Sequence, residues 1–346
     1  MVEKVIAVGL VGCGDIADRY GREISTSLNN KLRLDVVTDV NEEQGHAFSR
    51  KYSTEFVTSL EELLSRELDL ICVCTPNRTH AQIALECLRA KRHVLIEHPL
   101  AMTTSDALSI ISASQQHACE VFVMRQRRFL PSIQLLRRAL KQDIVKRVGK
   151  VELYVFWNRR SEYFSAKQWR RERDSGGVIL NQASHFLDIL IYLFGEAVKL
   201  SGRFGNIRHQ FACEDSVIGR LELNSGAIAK FQCTTAAPEG VNLSSLSVEA
   251  ENGIYELKGR DLDELSCPDS FVVTEDSLDK VLFTGDHRGY LDRVARRLSG
   301  ERDLEIIDAV EGARTVRLIE SIYAGFHRDD AGLRAEFNQA FLQSLP

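Results

Sequence analysis

The chain has 346 residues, 44% of them hydrophobic and 27% charged; that length favours two hydrophobic cores over one, and the composition excludes disordered and fibrous classes. No apolar run approaches the ~18 residues of a membrane span, the start Met-Val-Glu-Lys-Val lacks the layout of a signal peptide, and the net charge of −5 argues against nucleic acid. Eight cysteines, with no C-x-x-C pair and most of them inside apolar runs, fit a cytoplasmic protein with buried free thiols and neither membrane nor nucleic-acid partners.

Val5–Val11 reads as a strand, Gly12-Cys13-Gly14 as a turn and Asp15 onward as a helix. Leu32–Thr38, Leu68–Cys74, His93–Ile96 and Val121–Met124 are further short apolar runs, with helical stretches such as Thr79–Ala90 between them. This alternation predicts parallel strands with crossover helices, hence an α/β fold with a doubly wound Rossmann domain over residues 1–125. After residue 130 the rhythm changes. A helix near Ser132–Leu140 leads to a strand at Lys150–Trp157, a charged aromatic loop at Asn158–Asp174 and a helix at Asn181–Phe194 stopped by Gly195. Ser216–Leu223, Ala227–Thr234, Ser245–Ala250 and Ile254–Leu257 follow as adjacent strands, separated by turns such as Asn224-Ser225-Gly226. Residues 126–346 are therefore expected to form a second α/β domain with a large, mostly antiparallel open sheet. Its late helices, near Tyr290–Leu298 and Val310–Ala324, are expected to fold back on the first domain.

Gly12-Cys-Gly14-Asp15-Ile16-Ala17 is a G-x-G-x-x-A fingerprint between a strand and a helix. The first glycine permits the turn, the second lets backbone approach a pyrophosphate, and the small Ala17 lets helix pack on strand. Amides of the helix start, from Asp15 and Ile16 on, then face the phosphates. Asp39 ends the second strand, where a carboxylate accepts hydrogen bonds from the adenosine ribose and repels a 2′-phosphate, so the expected cofactor is NAD rather than NADP. Thr75-Pro76-Asn77 follows the next strand, at the sheet edge that faces a cofactor. His80, early in the following helix, reads equally as a structural cap or a cofactor ligand. Glu97 and His98 occupy the same geometric position after the strand His93–Ile96.

Residues 125–173 hold 15 Lys+Arg against 4 Asp+Glu, while the rest of the chain holds 29 against 45. A basic segment in an acidic chain suits an anionic small molecule, and equally a solvated or subunit-facing surface. Its loop interleaves Arg159, Arg160, Lys167, Arg170, Arg171 and Arg173 with Tyr163, Phe164 and Trp169. Arginine forks suit carboxylate and diphosphate, and aromatic rings stack on a sugar or base. Asn181, His185 and Asp188, at i, i+4 and i+7, share one helix face. The residues alone allow two readings: a catalytic face, or an N-cap at Asn181 with a core histidine paired to Asp188. No H-E-x-x-H, C-x-x-C or G-x-S-x-G pattern occurs, so no metal site and no serine hydrolase is expected.

These motifs together resemble the Gfo/Idh/MocA family (glucose-fructose oxidoreductase, inositol dehydrogenase, rhizopine catabolism). The resemblance rests on the fingerprint, on Cys74-Thr-Pro-Asn77-Arg-Thr-His80, and on Glu97-His98-Pro99, which is similar to the family's E-K-P. Gln126-Arg-Arg-Phe129-Leu-Pro131 resembles its Q-N-R-[FY]-x-P, and Gly285-Asp-His287 with Tyr290 its G-H-x-x-[FY]. Trp157-Asn-Arg159, Tyr163-Phe164, Trp169-Arg170, Gly176-Gly177 and Asn181-Gln-Ala-Ser-His185 resemble the UDP-N-acetyl-glucosaminuronate 3-dehydrogenase branch. Two positions depart from the family pattern: His98 stands where Lys is usual and Arg127 where Asn is usual.

The resemblance implies NAD-dependent oxidation of a secondary hydroxyl, C3, of a sugar, nucleotide-linked or uronate. It implies contacts to cofactor from Gln126, Trp169 and Arg170, contacts to substrate from Arg159, Tyr163, Asn181 and His185, and a homodimer or homotetramer. His185 is expected as the base that takes the hydroxyl proton, assisted by Asn181, with His98 orienting the hydroxyl or sharing the proton. Three other readings remain: a dehydrogenase of free sugars or polyols, a redox-neutral enzyme passing through a 3-keto sugar, and an NAD-binding sensor, which the loss of the lysine at 98 favours.

Overall fold

A computed structural model of the chain describes residues 4–173, 176–268 and 285–344; Asp174, the last residue of the basic loop, lies outside them. The chain divides into two compact units, one from Met1–Gln126 with Lys280–Val316 and the other from Arg127–Asp279 with Arg317–Pro346.

The first unit holds six parallel strands, β1 (Ile6–Val11), β2 (Leu32–Thr38), β3 (Glu55–Val57), β4 (Leu70–Val73), β5 (His93–Ile96) and β6 (Val121–Val123), ordered β3-β2-β1-β4-β5-β6. Helices α1 (Asp15–Thr26), α2 (Glu42–Tyr52), α3 (Leu60–Leu64), α4 (His80–Arg89) and α5 (Thr104–His117) connect them. Every residue of β1, β4 and β6 is buried, because helices cover both faces of a doubly wound sheet and leave no polar side. That is why these strands read as unbroken apolar runs. α1 buries Ala17, Tyr20, Gly21 and Ile24, the i, i+3, i+4, i+7 stripe of a helix lying on a sheet. The strand order reverses between β1 and β4, where the chain stops adding strands on one side of β1 and starts on the other, and such a switch point opens a crevice at the carboxyl ends of the strands.

The second unit places α6 (Pro131–Lys141), α7 (Ser161–Ser165) and α8 (Ser184–Phe194) with an eight-stranded sheet. Its strands are β7 (Val148–Trp157), β8 (Ala197–Gly205), β9 (Ser216–Leu223), β10 (Ile228–Thr234), β11 (Asn242–Ala250), β12 (Gly253–Lys258), β13 (Glu264–Ser266) and β14 (His327–Arg328), ordered β13-β12-β11-β7-β10-β9-β8-β14. The sheet is mixed. β7 pairs in parallel with β10 and β14 with β8, and the other ladders are antiparallel. Of the late helices, α9 (His287–Leu298) lies in the first unit, where Asp292 pairs with Lys31 at 2.5 Å. α10 (Ala309–Gly325) runs across the sequence division, and α11 (Asp330–Ser344) packs Leu333, Phe337 and Phe341 on Phe156 of β7. No helix of the described residues is long and apolar enough to cross a membrane.

α8 is apolar nearly all round and buried accordingly. It departs from the expected Asn181–Phe194 helix in one respect. The chain enters it through a wider π-turn over Ile179–Ala183, and the α-helix proper begins at Ser184. Asn181 is therefore not an N-cap, and its side chain donates to the Gly177 carbonyl (3.0 Å) instead of accepting from the helix start. Asp188 accepts two 2.7 Å bonds from Arg128, with both side chains 2% exposed, and Tyr192 stacks on the same guanidinium at 4.5 Å.

Removing one member of such a pair strands a buried charge, which costs about 3–5 kcal/mol. Asp188→Ala is therefore expected to lower unfolding stability by about that amount in urea titration, and Asp188→Asn by less. A loss below about 1 kcal/mol for Asp188→Ala would show that the pair does not hold α8.

Candidate active site

The first unit builds a dinucleotide cradle. β1 ends at Val11, and Gly12 takes φ +90°, donating its amide to the Thr38 carbonyl at 2.8 Å. A Cβ there would lie 2.8 Å from the Cys74 carbonyl oxygen, so the fold itself demands glycine. Gly14 differs. Its φ of −80° suits any residue, and a Cβ would meet nothing nearer than Gln44 Nε2 at 3.9 Å. Nothing among the described residues requires glycine at 14, which is what a close-approaching pyrophosphate explains. Gly14 starts α1 without a side-chain cap, so the amides that follow face outward with the positive end of the helix dipole. Asp15 is exposed and Ile16 half-buried at this helix start.

Asp39, half-buried at the end of β2, is more engaged than a ribose ligand alone. Its Oδ2 accepts from the Cys13 amide (2.6 Å) and its Oδ1 from the Asn41 amide (2.7 Å). The carboxylate thus pins the glycine turn while keeping lone pairs for ribose hydroxyls. Val40 beside it is fully exposed.

After β4, Thr75 and Pro76 are half-buried and Asn77 is buried. Thr79 Oγ1 lies 2.8 Å from both Thr75 Oγ1 and the Pro76 carbonyl oxygen. His80 is fully buried, and its Nδ1 and Nε2 face the carbonyl oxygens of Pro99 (2.7 Å) and Thr75 (2.9 Å). Burial holds this imidazole below its ordinary pKa although both carbonyls pull the other way. The ring ties the loops after β4 and β5 together and is not a helix cap: the N-cap position of α4 is Thr79, without a side-chain cap.

Glu97 is buried, accepting from the Tyr20 hydroxyl at 2.7 Å and lying 3.6 Å from His287 Nε2. Arg19 Nη1 stands 3.4 Å behind His287 Nδ1. Burial would raise this carboxyl, but His287, His98 and Tyr20 outweigh it and hold it down at about 2. It stays an anion beside His98, which is half-buried and joined to Pro99 by a cis peptide bond. Gln126 is buried, and its Oε1 accepts no hydrogen bond from the described residues; a carboxamide N–H such as nicotinamide carries is the partner that oxygen wants.

The second unit carries the polar groups of the π-turn and α8. Asn181 and His185 are half-buried, whereas Gln182 is buried and donates to the Tyr163 hydroxyl at 3.1 Å. The basic loop sorts itself into two groups. Arg159 lies over Trp157 (4.8 Å) and Tyr163 (5.4 Å), and Arg170 over Tyr163 (4.1 Å) and Trp169 (5.5 Å). Arg160 instead pairs with Glu239 and Arg173 is exposed, as a solvated surface requires.

Two arginines not chosen from the sequence as site residues join the first group. Arg127 lies 5.0 Å from the Phe186 ring and 5.8 Å from Trp157, and Arg260 lies 5.6 Å from Trp157. Trp157 donates to Ser244 Oγ, which in turn donates to the Arg260 carbonyl. Burial, and then the neighbouring guanidinium groups, lower the pKa of Arg159; burial does the same to Arg127 despite its 2.6 Å pair with Asp261. Arginine does not give up its proton here, so the cluster holds its guanidinium groups charged although they are partly withdrawn from water. Arg127 was visible in sequence as a departure from the usual Asn. Arg260, on a distant loop, gave no signal. No group of three or more His, Cys, Asp or Glu among the described residues could hold a metal.

Two family descriptions match the chain: "Oxidoreductase family, NAD-binding Rossmann fold" over residues 6–125 and "GFO/IDH/MocA C-terminal domain" over 133–256. The chain belongs to the Gfo/Idh/MocA oxidoreductase family. It is an NAD-binding oxidoreductase on that ground, and the cradle at Gly14 and the bare Gln126 oxygen fit the cofactor. The family's structures include the WlbA dehydrogenase of Chromobacterium violaceum, solved with NADH and UDP-GlcNAcA. That protein is 26% identical, has a TM-score of 0.87, and the match covers 94% of each chain. The WlbA dehydrogenase of Bordetella pertussis, also solved with NADH and UDP-GlcNAcA, is 26% identical with a TM-score of 0.85, the match covering 93% of this chain and 96% of that one. The D-glucoside 3-dehydrogenase of Escherichia coli is 27% identical over 66% of this chain and 70% of its own length.

The two glycines predict opposite outcomes. Gly14→Ala is expected to keep the melting temperature and weaken NAD binding at least tenfold, while Gly12→Ala destabilises the fold, as calorimetry and titration would show. NAD should bind more tightly than NADP, and Asp39→Ala should narrow that gap while loosening the turn at Cys13. Equal affinities in the unmutated protein would contradict the role given to Asp39.

Proposed function

We propose that this oxidoreductase transfers a hydride between NAD and C3 of a sugar, its substrate being a UDP-linked N-acetylated sugar or uronate. The observation that carries the reading is the arginine–aromatic cluster. Arg127, Arg159 and Arg260 around Trp157 form a partly buried cationic surface with stacking faces, in the same unit as Asn181 and His185. Carboxylates and diphosphates bind guanidinium forks, and a sugar or uracil ring stacks on indole or phenol. A neutral free sugar has no use for the charge. The WlbA relatives solved with UDP-GlcNAcA and the relative named a D-glucoside 3-dehydrogenase support the substrate class and the carbon.

Bound NAD supplies the acceptor for the carbon-bound hydrogen and its electron pair. The protein must take the hydroxyl proton as that hydrogen leaves. An imidazole, with an ordinary pKa near 6.5, does so at neutral pH without the downward shift a lysine needs. We assign this step to His185, half-buried on α8 one turn from Asn181. Asn181, whose Nδ2 is held by the Gly177 carbonyl, keeps its amide in a fixed orientation to steady the hydroxyl. His98 orients the hydroxyl or shares the proton. It directly follows the buried anion of Glu97 in the chain.

Sustained, stoichiometric NADH formation with UDP-N-acetylglucosaminuronate, and much weaker turnover of free N-acetylglucosamine, is expected in an absorbance assay. Equal turnover of the free sugar would defeat the nucleotide-sugar reading, and sugar turnover without net NADH would point to redox-neutral chemistry. His185→Ala should lower kcat by about 10²–10⁴-fold with NAD affinity retained. If His98→Ala abolishes turnover while His185→Ala spares it, the base is at 98.

A further inference from the structure

The basic loop and the site helix do not meet at random. The segment Cys213–Glu214, leading into β9, is bonded to both. Cys213 Sγ lies 3.3 Å from the Arg170 carbonyl oxygen, and its amide donates to the Arg171 carbonyl at 3.4 Å. The Glu214 carbonyl accepts from the Val178 amide (3.0 Å), and its side-chain Oε1 accepts from the Ile179 amide (2.9 Å) and the Tyr323 hydroxyl (3.1 Å). Gly177, at φ +91°, is pressed on this carboxyl so closely that a Cβ would sit 2.3 Å from Oε1. Gly177 is also the residue whose carbonyl holds both the amide (3.2 Å) and the side chain (3.0 Å) of Asn181. A buried carboxyl thus sits two hydrogen bonds from the amide assigned to the reaction.

We propose that Glu214 is a positioning residue: its ionised carboxylate anchors the Gly177–Ile179 backbone, and through it sets Asn181 and His185. The role rests on the function proposed above, whereas the anchor itself does not. Both neighbours of Oε1 are donors, and the start of a helix attracts negative charge. Protonation removes that charge, weakens both bonds and loosens the π-turn.

The groups around Glu214 leave it as the one that changes charge near neutrality. Burial raises its carboxyl most and Asp215 adds to this; the Ile179 amide, its own backbone and the Tyr323 hydroxyl oppose them, leaving it at about 7. Tyr323, from α10, is itself pushed well above its ordinary value by burial and by Glu214 despite Arg173, and burial pushes Cys213 to about 12. Neither ionises before Glu214. A carboxyl raised from 4.5 to about 7 on folding gives stability that is complete below pH 4.5 and is lost as pH rises through 7. The ionised anchor therefore costs stability.

The test is Glu214→Gln, neutral at every pH, compared with the unmutated protein from pH 5 to 8.5. Three results are expected. The melting temperature of the variant relative to the unmutated protein rises with pH. Amide exchange over residues 178–185, corrected for intrinsic rates, slows through pH 7 in the unmutated protein and stays flat in the variant. With the sugar nucleotide, kcat of the variant falls about 10-fold or more at pH 8 with NAD affinity retained. The acid limb of kcat also drops from two ionisations to one. Exchange over 178–185 that is independent of pH in the unmutated protein, or that responds equally in the variant, overturns the proposal whatever the sugar assay shows. If exchange responds as expected but no sugar is oxidised, the anchor stands and the proposed function falls.

Discussion

Arg128 and Asp188 meet through two 2.7 Å bonds in a place with almost no water. α8 is apolar over most of its surface, so hydrophobic burial alone would hold it in the core without specifying how it is turned about its axis. A planar guanidinium gripping a planar carboxylate does specify that. The pair therefore decides which way His185 points, three residues back along the helix, and the π-turn before it decides where Asn181 stands. Hydrophobic packing gives α8 its depth, and one buried ion pair gives it its rotation.

The cofactor unit obeys a different constraint: backbones approach one another closely. Gly12 lies against the Cys74 carbonyl, Asp39 closes the glycine turn from the side, and His80 stitches the loops after β4 and β5. Glu97 is then held ionised beside His98 by a chain through His287 to Arg19. The replacement of the family lysine by His98 thus occurs beside an anion that the fold already stabilises. That is why loss of the lysine does not by itself argue against turnover.

Sequence made the parallel unit legible because burial on both faces wrote β1, β4 and β6 as solid apolar runs. β2 and β5 fall on their expected residues. β8 is hard to read because Gly202, between Leu200 and Phe204, thins the apolar side of its alternation with Lys199, Ser201 and Arg203. β13 and β14 are only three and two residues long and carry no period to read. The parallel β7–β10 ladder joins strands far apart in the chain, so no local signal announces it. The candidate site divides in the same way. Gly14, Asp39 and Asn181 stand in motifs whose spacing carries the chemistry. Arg260, Gln182 and Glu214 matter only through what the fold brings to them, and the pairing of Asp188 with Arg128 spans 60 residues.

The reaction we propose breaks one C–H bond of a sugar, that at C3, and hands its hydrogen to NAD. A sugar nucleotide carrying deuterium at C3 tests it directly. Mass spectrometry of the NADH formed is predicted to find one deuterium per molecule, with a primary isotope effect on single turnover. NADH formed without the label would place the chemistry at another carbon, and label lost to water with no NADH would contradict hydride transfer altogether.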